Sequence, residues 1–447
     1  MFRILAIVFT CTIAAHQSLA GEFSQFRGSS GTGIVADQPI PQTWSAVQNL
    51  SWKVTNPGAG WSQPIIWEDR LYVTGAVAEK DLKPSNFADG VKSPQSMGVS
   101  LFAKAPSFPI DWKLFCLSTK DGSILWEQTI VSGKPKFPIH PSNSWATESP
   151  VADKDGVYVS FGAPGVVAAV DHAGKLRWMK DIGTFKTSNG FGTGSSLALH
   201  EGKVFAQNFN EDNATTFCFD TQTGEEKWKV TRADTGTSWS TPLLWSNSQR
   251  AELIVSGGEQ IDSLNPETGE SLWTIKNVKA STANTPCADE NRLYFGGSDP
   301  FSKGPLFAIQ PGGSGELSPE KKNAQFTSCQ WLQERQGPGM ASSVSSGEFV
   351  YTLESNILKC FNAETGERLY QQRLPGLDLV AASPLLIGNK LLILDEKGAA
   401  CLVADGPTFE VIGSGQLPDT FWATPAVADG AIYFRGLESI YCIKSKE

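Results

Sequence analysis

The sequence predicts an all-β fold: an eight-bladed β-propeller of four-stranded antiparallel blades, its ring closed by an N-terminal strand at about 50–54 pairing with the C-terminal blade. Three observations predict it. A glycine turn followed by an aromatic recurs along the chain, a short hydroxyl-bearing residue opens a further strand once per unit, and most units repeat at about 41 to 46 residues. Four short strands at that period are the signature of a propeller blade. Composition agrees. In 447 residues, 43 Gly and 26 Pro favour turns over long helices, while 14 Trp and 25 Phe supply a large core. With 40% apolar and 19% charged residues, the chain is not of the disordered class.

The first twenty residues read as a leader. Arg3 gives a positive start, Ile4 to Ala15 is an apolar run, and Ser18-Leu19-Ala20 is a small-x-small cleavage site. Cleavage after Ala20 would start the mature chain at Gly21 and place it in the periplasm, the cell envelope or the medium. The apolar run is short for a bilayer span, and no later stretch is long and apolar enough for a transmembrane segment. Val8-Phe9-Thr10, ahead of Cys11, fits a lipidation site poorly because Phe9 and Thr10 are bulky at the cut.

Losing Arg3 takes the net charge from −9 to −10, and no Lys/Arg cluster stands out. Nucleic acid is therefore excluded as a partner, since phosphate neutralisation needs a basic surface. Seven cysteines remain after the leader: Cys116, Cys218, Cys287, Cys329, Cys360, Cys401 and Cys442. They show no CxxC and no Cys/His zinc spacing. Cys116, Cys218 and Cys360 each stand six residues before a turn glycine, so they are equivalent positions in a repeat and read as buried thiols acting as small apolar groups.

The hairpin landmark pairs Gly122 with Trp126, Gly174 with Trp178, Gly224 with Trp228, Gly269 with Trp273 and Gly366 with Tyr370, with the glycine always four residues ahead of the ring. Apolar runs such as Phe217-Cys218-Phe219 precede the turns. This is a strand, a turn that needs positive φ, and a second strand. The ring holds a fixed place on the second strand and so faces one layer throughout. Trp331 and a degraded copy near Val411 bring the count to seven.

The second landmark is independent: Ser149-Pro150, Thr241-Pro242, Thr285-Pro286, Ser383-Pro384 and Thr424-Pro425, with Gln63-Pro64, Ser195-Ser196 and Ser342-Ser343 as degenerate copies. This set counts eight. The last unit stops after Ile440–Ile443 without a fourth strand, while Leu50–Val54 near the N-terminus is an orphan outer strand carrying Trp52. Pairing the two completes the last blade, supplies the eighth ring and removes the exposed edges of an open array. The single domain then runs over 21–447. Surplus length is assigned to insertions at about 76–111, within the first blade, and about 311–328, within the fifth.

The hairpin pattern, apolar-x-Asp-x-x-Thr-Gly-x-x-x-Trp, resembles the PQQ-like, or quinoprotein-type, β-propeller repeat. Phe26–Gly33, Ala146–Pro150 and Phe185–Gly194 look like exported bacterial PQQ-repeat proteins of unassigned role, near the non-enzymatic BamB-like branch. The resemblance covers about Gln25 to Lys444 and implies the fold more than a function. Its quinone-using members carry adjacent cysteines, a Ca²⁺ ion on oxygen ligands and an Asp base. This chain has no Cys-Cys step, and the nearest acidic pairs, Asp289-Glu290 and Asp395-Glu396, read as strand-end turns. No cofactor is therefore expected; PQQ with Ca²⁺, in a quinoprotein dehydrogenase, is the alternative. No Gly-x-Ser-x-Gly elbow points to a hydrolase, and Gly190–Gly194 lacks the Lys-Ser/Thr of a phosphate loop.

What remains is a rim. Trp61, Trp145, Phe191, Trp239, Phe421 and Trp422 stand two to four residues ahead of the second landmark, which gathers them at one mouth of a central channel. His140, Asn143, Asn189 and Asn284 lie nearby in register. Aromatics with amides suit an extended peptide or a glycan. The expected role is an exported non-catalytic scaffold for an envelope protein, peptide or glycan. The competing expectation is that the rings only wedge adjacent blades together.

Overall fold

The computed structural model describes residues 21–84, 104–233, 236–298 and 302–445; the proposed leader and much of the first insertion lie outside them. Regular secondary structure in the described residues is almost all strand, joined by turns and loops, with one short 3₁₀ turn at Ser188–Gly190. Its strands form eight sheets, six of four strands, one of five and one of six. Within each, chain neighbours pair antiparallel, as hairpins dictate. The third sheet is representative: Ala198–His200, Lys203–Phe209, Ala214–Asp220 and Glu226–Thr231 in spatial order. Its two middle strands are buried along nearly their whole length, and the fourth alternates buried and exposed. This all-β architecture of small meander sheets is that of a β-propeller.

The eighth sheet is assembled from both ends of the chain. Leu50–Thr55 pairs antiparallel with Ser439–Lys444, Trp52 opposite Cys442 and Lys53 opposite Tyr441. Two sheets carry added edge strands. Ile34–Val35 and Thr43–Trp44 run parallel on the two edges of the seventh sheet, and Gly315–Glu316, from the 311–328 region, runs parallel to Ser271–Ile275 of the fourth.

The rings of the hairpin landmark pack between sheets. Trp52, Trp126, Trp178, Trp228 and Trp331 each lie against the turn glycine of the following hairpin: Gly122, Gly174, Gly224, Gly269 and Gly366. A Cβ on any of these glycines would come within 2.6–2.8 Å of the indole. The glycine thus serves twice, for a positive φ and for the flat approach of a neighbouring ring. The indole N–H then donates to a carbonyl of that same turn region, as Trp52 does to Thr119 (2.8 Å), Trp178 to Thr221 (3.0 Å) and Trp331 to Ala363 (2.9 Å). Trp273 departs from the pattern: its indole lies near Gly313 of the inserted segment and donates to the buried Glu252 carboxylate at 2.6 Å.

Opposite each ring, in the neighbouring strand, stands a small residue. Cys116, Cys218 and Cys360 face Trp126, Trp228 and Tyr370, and Ala169 and Ala308 face Trp178 and Trp331. This is why cysteine recurs at one repeat position. All seven described cysteines are free and buried, and burial pushes Cys116, Cys218, Cys360 and Cys442 up to about 12. The native protein is therefore expected to leave all seven thiols unreacted with a thiol reagent at neutral pH, and to release all of them in denaturant. A thiol that reacts quickly in the native state would contradict this packing.

The degraded ring near Val411 has a physical replacement. The expected ring position in the seventh sheet is Ser414, opposite Cys401. Thr43–Trp44 lies beside Ser414 and Gly415, and Trp44, 3% exposed, covers Gly415 with its indole. The missing aromatic is thus supplied from a distant part of the chain.

Candidate functional site

The Ser/Thr landmark ties the sheets to one another. The backbone N–H of Gln63 donates to Ser149 Oγ (2.9 Å), that of Ser149 to Ser196 Oγ (2.9 Å) and that of Ser196 to Thr241 Oγ1 (3.1 Å). Thr241 continues to Thr285 Oγ1 (3.0 Å), Thr285 to Ser342 Oγ (2.9 Å), Ser342 to Ser383 Oγ (3.1 Å) and Ser383 to Thr424 Oγ1 (3.0 Å). The Gln63 side-chain amide then donates to the Pro425 carbonyl, joining the eighth sheet to the first. The hydroxyl is selected because it must accept from the preceding sheet. The usual following proline fixes φ and carries no N–H needing a partner. In the third sheet the relay residue is Ser196; Ser195 instead donates to the Ser240 carbonyl.

Upstream of this relay lies the predicted rim, and the structure brings most of it together. Trp61 and Trp422 stack with centroids 6.1 Å apart. Trp61 Nε1 donates to the Ser142 carbonyl at 3.0 Å. His140 packs on Phe191 at 5.1 Å, and Phe191 meets Trp239 edge-on at 6.1 Å. Asn143 donates to the Phe191 carbonyl (2.6 Å) and, with its side-chain oxygen, accepts from Ser144 N and Thr147 Oγ1. Trp239 donates through Nε1 to the Gly192 carbonyl (2.7 Å) and through its backbone to Thr282 (2.8 Å). Asn284 reaches the Gly339 carbonyl at 3.1 Å, beside the exposed Met340. The result is a belt of rings and amides running from the eighth sheet through the first to the sixth.

Five predicted rim residues, Trp61, His140, Trp145, Asn284 and Phe421, are buried, and two of them pack wholly into the interior. Phe421 is 0% exposed and packs on Phe434 and Tyr441. Trp145 is in the core, its carbonyl accepting from Trp112 Nε1 at 2.8 Å. Phe421 stands one residue before Trp422, and one residue along a strand entry reverses which way a ring faces. Asn189 is exposed on the 3₁₀ turn with φ 49°, while Phe191, Trp239 and Trp422 are half-buried. Met340 was missed, since sequence gives a lone methionine no rim signal.

Downstream of the relay the structure places a segment whose role the sequence did not reveal. Residues 23–35 touch one sheet after another. Phe23 bonds Ile66 both ways, Ser24 accepts from Ala152 N, Gln25 Oε1 from Leu199 N and Gly33 from Leu386 N. Each contacted residue stands three positions after a relay residue, whereas the belt stands before them. The segment and the belt thus lie on opposite sides of the relay. Arg27 is 0% exposed at the centre of the segment, and burial pulls its pKa down to about 10.

Glu148 sits behind the belt, directly ahead of Ser149. Its carboxylate accepts from Gly162 N at 3.1 Å and lines a cavity of about 20 Å³ with Thr193, Ser195 and Gln207. That is room for about one water. Burial raises the Glu148 carboxyl above its ordinary value of 4.5. The native state then binds this proton more tightly than the unfolded one. Its contribution to stability is fullest below pH 4.5 and is lost as pH rises through the native pKa. Urea unfolding of Glu148→Gln against pH is expected to lack that decline, and an unchanged profile would contradict it.

A larger groove, about 740 Å³, lies away from the belt at the edge of the fourth sheet, lined by Arg232, Glu259, Lys276 and Glu316. Its ionic groups are each paired, Arg232 with Asp262, Lys276 with Glu316 and Glu259 with Lys322, so it offers no convergent chemistry.

A family model described as outer membrane protein assembly factor BamB matches residues 48–255 and 218–310. The chain belongs to the PQQ-like β-propeller family. Among solved structures, this propeller is similar to BamB from Moraxella catarrhalis, at 16% identity and a TM-score of 0.52, covering 79% of this chain and 96% of that one. It is also similar to the quinohemoprotein alcohol dehydrogenases of Comamonas testosteroni (TM-score 0.59) and Pseudomonas putida HK5 (0.58), each at 11% identity over 96% of this chain and 81% of theirs. These likenesses establish the fold. No curated protein is matched by the sequence.

A quinone held by Ca²⁺, the group that the quinoprotein-type resemblance implies, would need several oxygen ligands gathered at one place. Among the described residues no three His, Cys, Asp or Glu gather at one point. The carboxylates nearest the belt are separately engaged, Glu148 by Gly162 N and Glu396 by Trp422 Nε1 at 2.9 Å. Asp395 closes its own turn, accepting from Lys397 and Ala399 N–H. These residues do not form the oxygen cage such an ion needs.

Proposed function

We propose that the protein is an exported, non-catalytic eight-bladed propeller whose aromatic belt binds a protein, peptide or glycan of the cell envelope. The observation that carries this reading is the asymmetry about the relay: the N-terminal segment covers one side, and the half-buried rings of Phe191, Trp239 and Trp422, with the buried Trp61 stacked behind Trp422, stand on the other. Eight sheets, the pairing of Leu50–Thr55 with Ser439–Lys444 and the docking of Trp52 on Gly122 support a closed ring. The leader cleaved after Ala20 supplies export, and the 76–111 and 311–328 insertions decorate a single domain.

Half-buried indoles offer apolar faces at small entropic cost, and they dominate binding where they occur at interfaces. Affinity capture from native envelope, repeated with Trp239→Ala plus Trp422→Ala, is expected to lose the bound species by more than about tenfold, matching 1–2 kcal/mol per lost hot-spot ring. Capture unchanged by the double substitution would remove the belt from the function. Tight uptake of PQQ with Ca²⁺, followed by dye reduction on alcohols, would replace the scaffold reading with a dehydrogenase.

A further inference from the structure

Arg27 connects opposite parts of the sheet array. Its backbone N–H donates to Gln63 Oε1 of the first sheet at 2.8 Å. Its guanidinium reaches the Pro286 carbonyl (3.4 Å) at the entry to the fifth sheet and the Ser343 carbonyl at the entry to the sixth. The Thr32 carbonyl, 2.9 Å away, accepts a further bond. Every side-chain acceptor is a neutral carbonyl, and among the described residues no ion pair involves Arg27. Gly33 is required beside it, because a Cβ there would stand 2.8 Å from the guanidinium.

The polar groups around this cation are unbalanced in one direction. Arg27 Nε is buried with no partner, and so are Ser343 Oγ and Ser240 Oγ at the entries to the sixth and fourth sheets. The relay hydroxyls of Ser149, Ser196, Thr241, Thr285, Ser342, Ser383 and Thr424 each accept a backbone N–H, and none donates to an acceptor among the described residues. The relay plane thus holds a full positive charge and an excess of donor hydrogens. Water can satisfy donors, but a buried charge also calls for an opposite one. A small anion answers both demands.

We propose that the propeller axis holds a small inorganic monoanion, of the halide or nitrate class, bound by Arg27 Nε–H and the Ser343 hydroxyl beside the relay. This rests on the closed-ring reading of the eight sheets. It adds a structural ligand on the side of the relay away from the belt, independent of what the belt binds.

Crystals of the purified protein grown with sodium bromide are expected to show an anomalous peak within hydrogen-bond distance of Arg27 Nε and Ser343 Oγ. In solution, the melting midpoint is expected to rise in bromide over gluconate at equal ionic strength and to saturate, as binding to the native state requires. Ser343→Ala keeps the carbonyl that Arg27 uses and is expected to shrink that bromide-specific rise. Arg27→Lys keeps the charge, removes Nε and is expected to abolish it. An intact ring with water alone at the axis, or equal melting in both salts, overturns the anion site. If the crystal showed Leu50–Thr55 apart from Ser439–Lys444, the ring and the anion site would fall together.

Discussion

Trp228→Ala is expected to destabilise the protein by about 3–5 kcal/mol, the usual cost of emptying a large aromatic site. Trp228 is 9% exposed, faces Cys218 across the ladder, packs on Phe205 at 5.7 Å and donates to the Pro266 carbonyl at 3.1 Å. Its removal opens a void between the third and fourth sheets and strips a bond from the next turn. Gly269→Ala attacks the same contact from the other side, since its new methyl would press on the indole at 2.8 Å from a backbone at φ +75°. A denaturant melt of each variant and of the pair forms a cycle. The alanine at 269 should cost less where the indole is already gone. A loss below about 1 kcal/mol for Trp228→Ala would place the ring outside the core, against the range for such substitutions.

Truncation through Thr55 is expected to abolish cooperative unfolding. It removes the outer strand of the eighth sheet, leaving the buried run Ile440–Ile443 as an unpaired hydrophobic edge. Such an edge invites aggregation. It also removes Trp52 from Gly122, Trp44 from Gly415 and Arg27 from between the first, fifth and sixth sheets. Trp52→Ala is the graded form of this experiment, expected to cost about 3–5 kcal/mol while leaving a folded chain. Scanning calorimetry separates the two. A truncated chain that melts as sharply and as high as the intact one would show that these contacts hold nothing together.

The propeller architecture was legible because it repeats. Gly224 with Trp228, and Thr241 with Pro242, each carry little information alone; five and eight copies at a shared spacing carry a great deal. The structure adds reasons the pattern could not state. The glycine is fixed as much by the neighbouring indole as by its own φ, and the serine or threonine is fixed by the N–H of the sheet before it. Contributions that occur once were invisible. Trp44 replaces a ring the seventh sheet lacks, and Arg27 bridges sheets from a Gly/Ser-rich stretch with no periodicity to flag it. The rim was half legible. Register gathered these rings, but it gave no sign that Trp61, Trp145 and Phe421 would be buried while Phe191, Trp239 and Trp422 stay half-buried, which local packing decides.

Because Leu50–Thr55 finds its ladder only in Ser439–Lys444 among the described residues, a strand made early must wait for one made more than 380 residues later. A chain emerging from its N-terminus carries that strand unmatched through almost all of its synthesis, and contacts so distant in sequence form slowly. Emergence of Ser439–Lys444 is therefore the committing event. A ribosome that stalls shortly before Ser439 would release a product whose seven earlier sheets can all form but whose ends cannot meet, a natural client for chaperones and proteases.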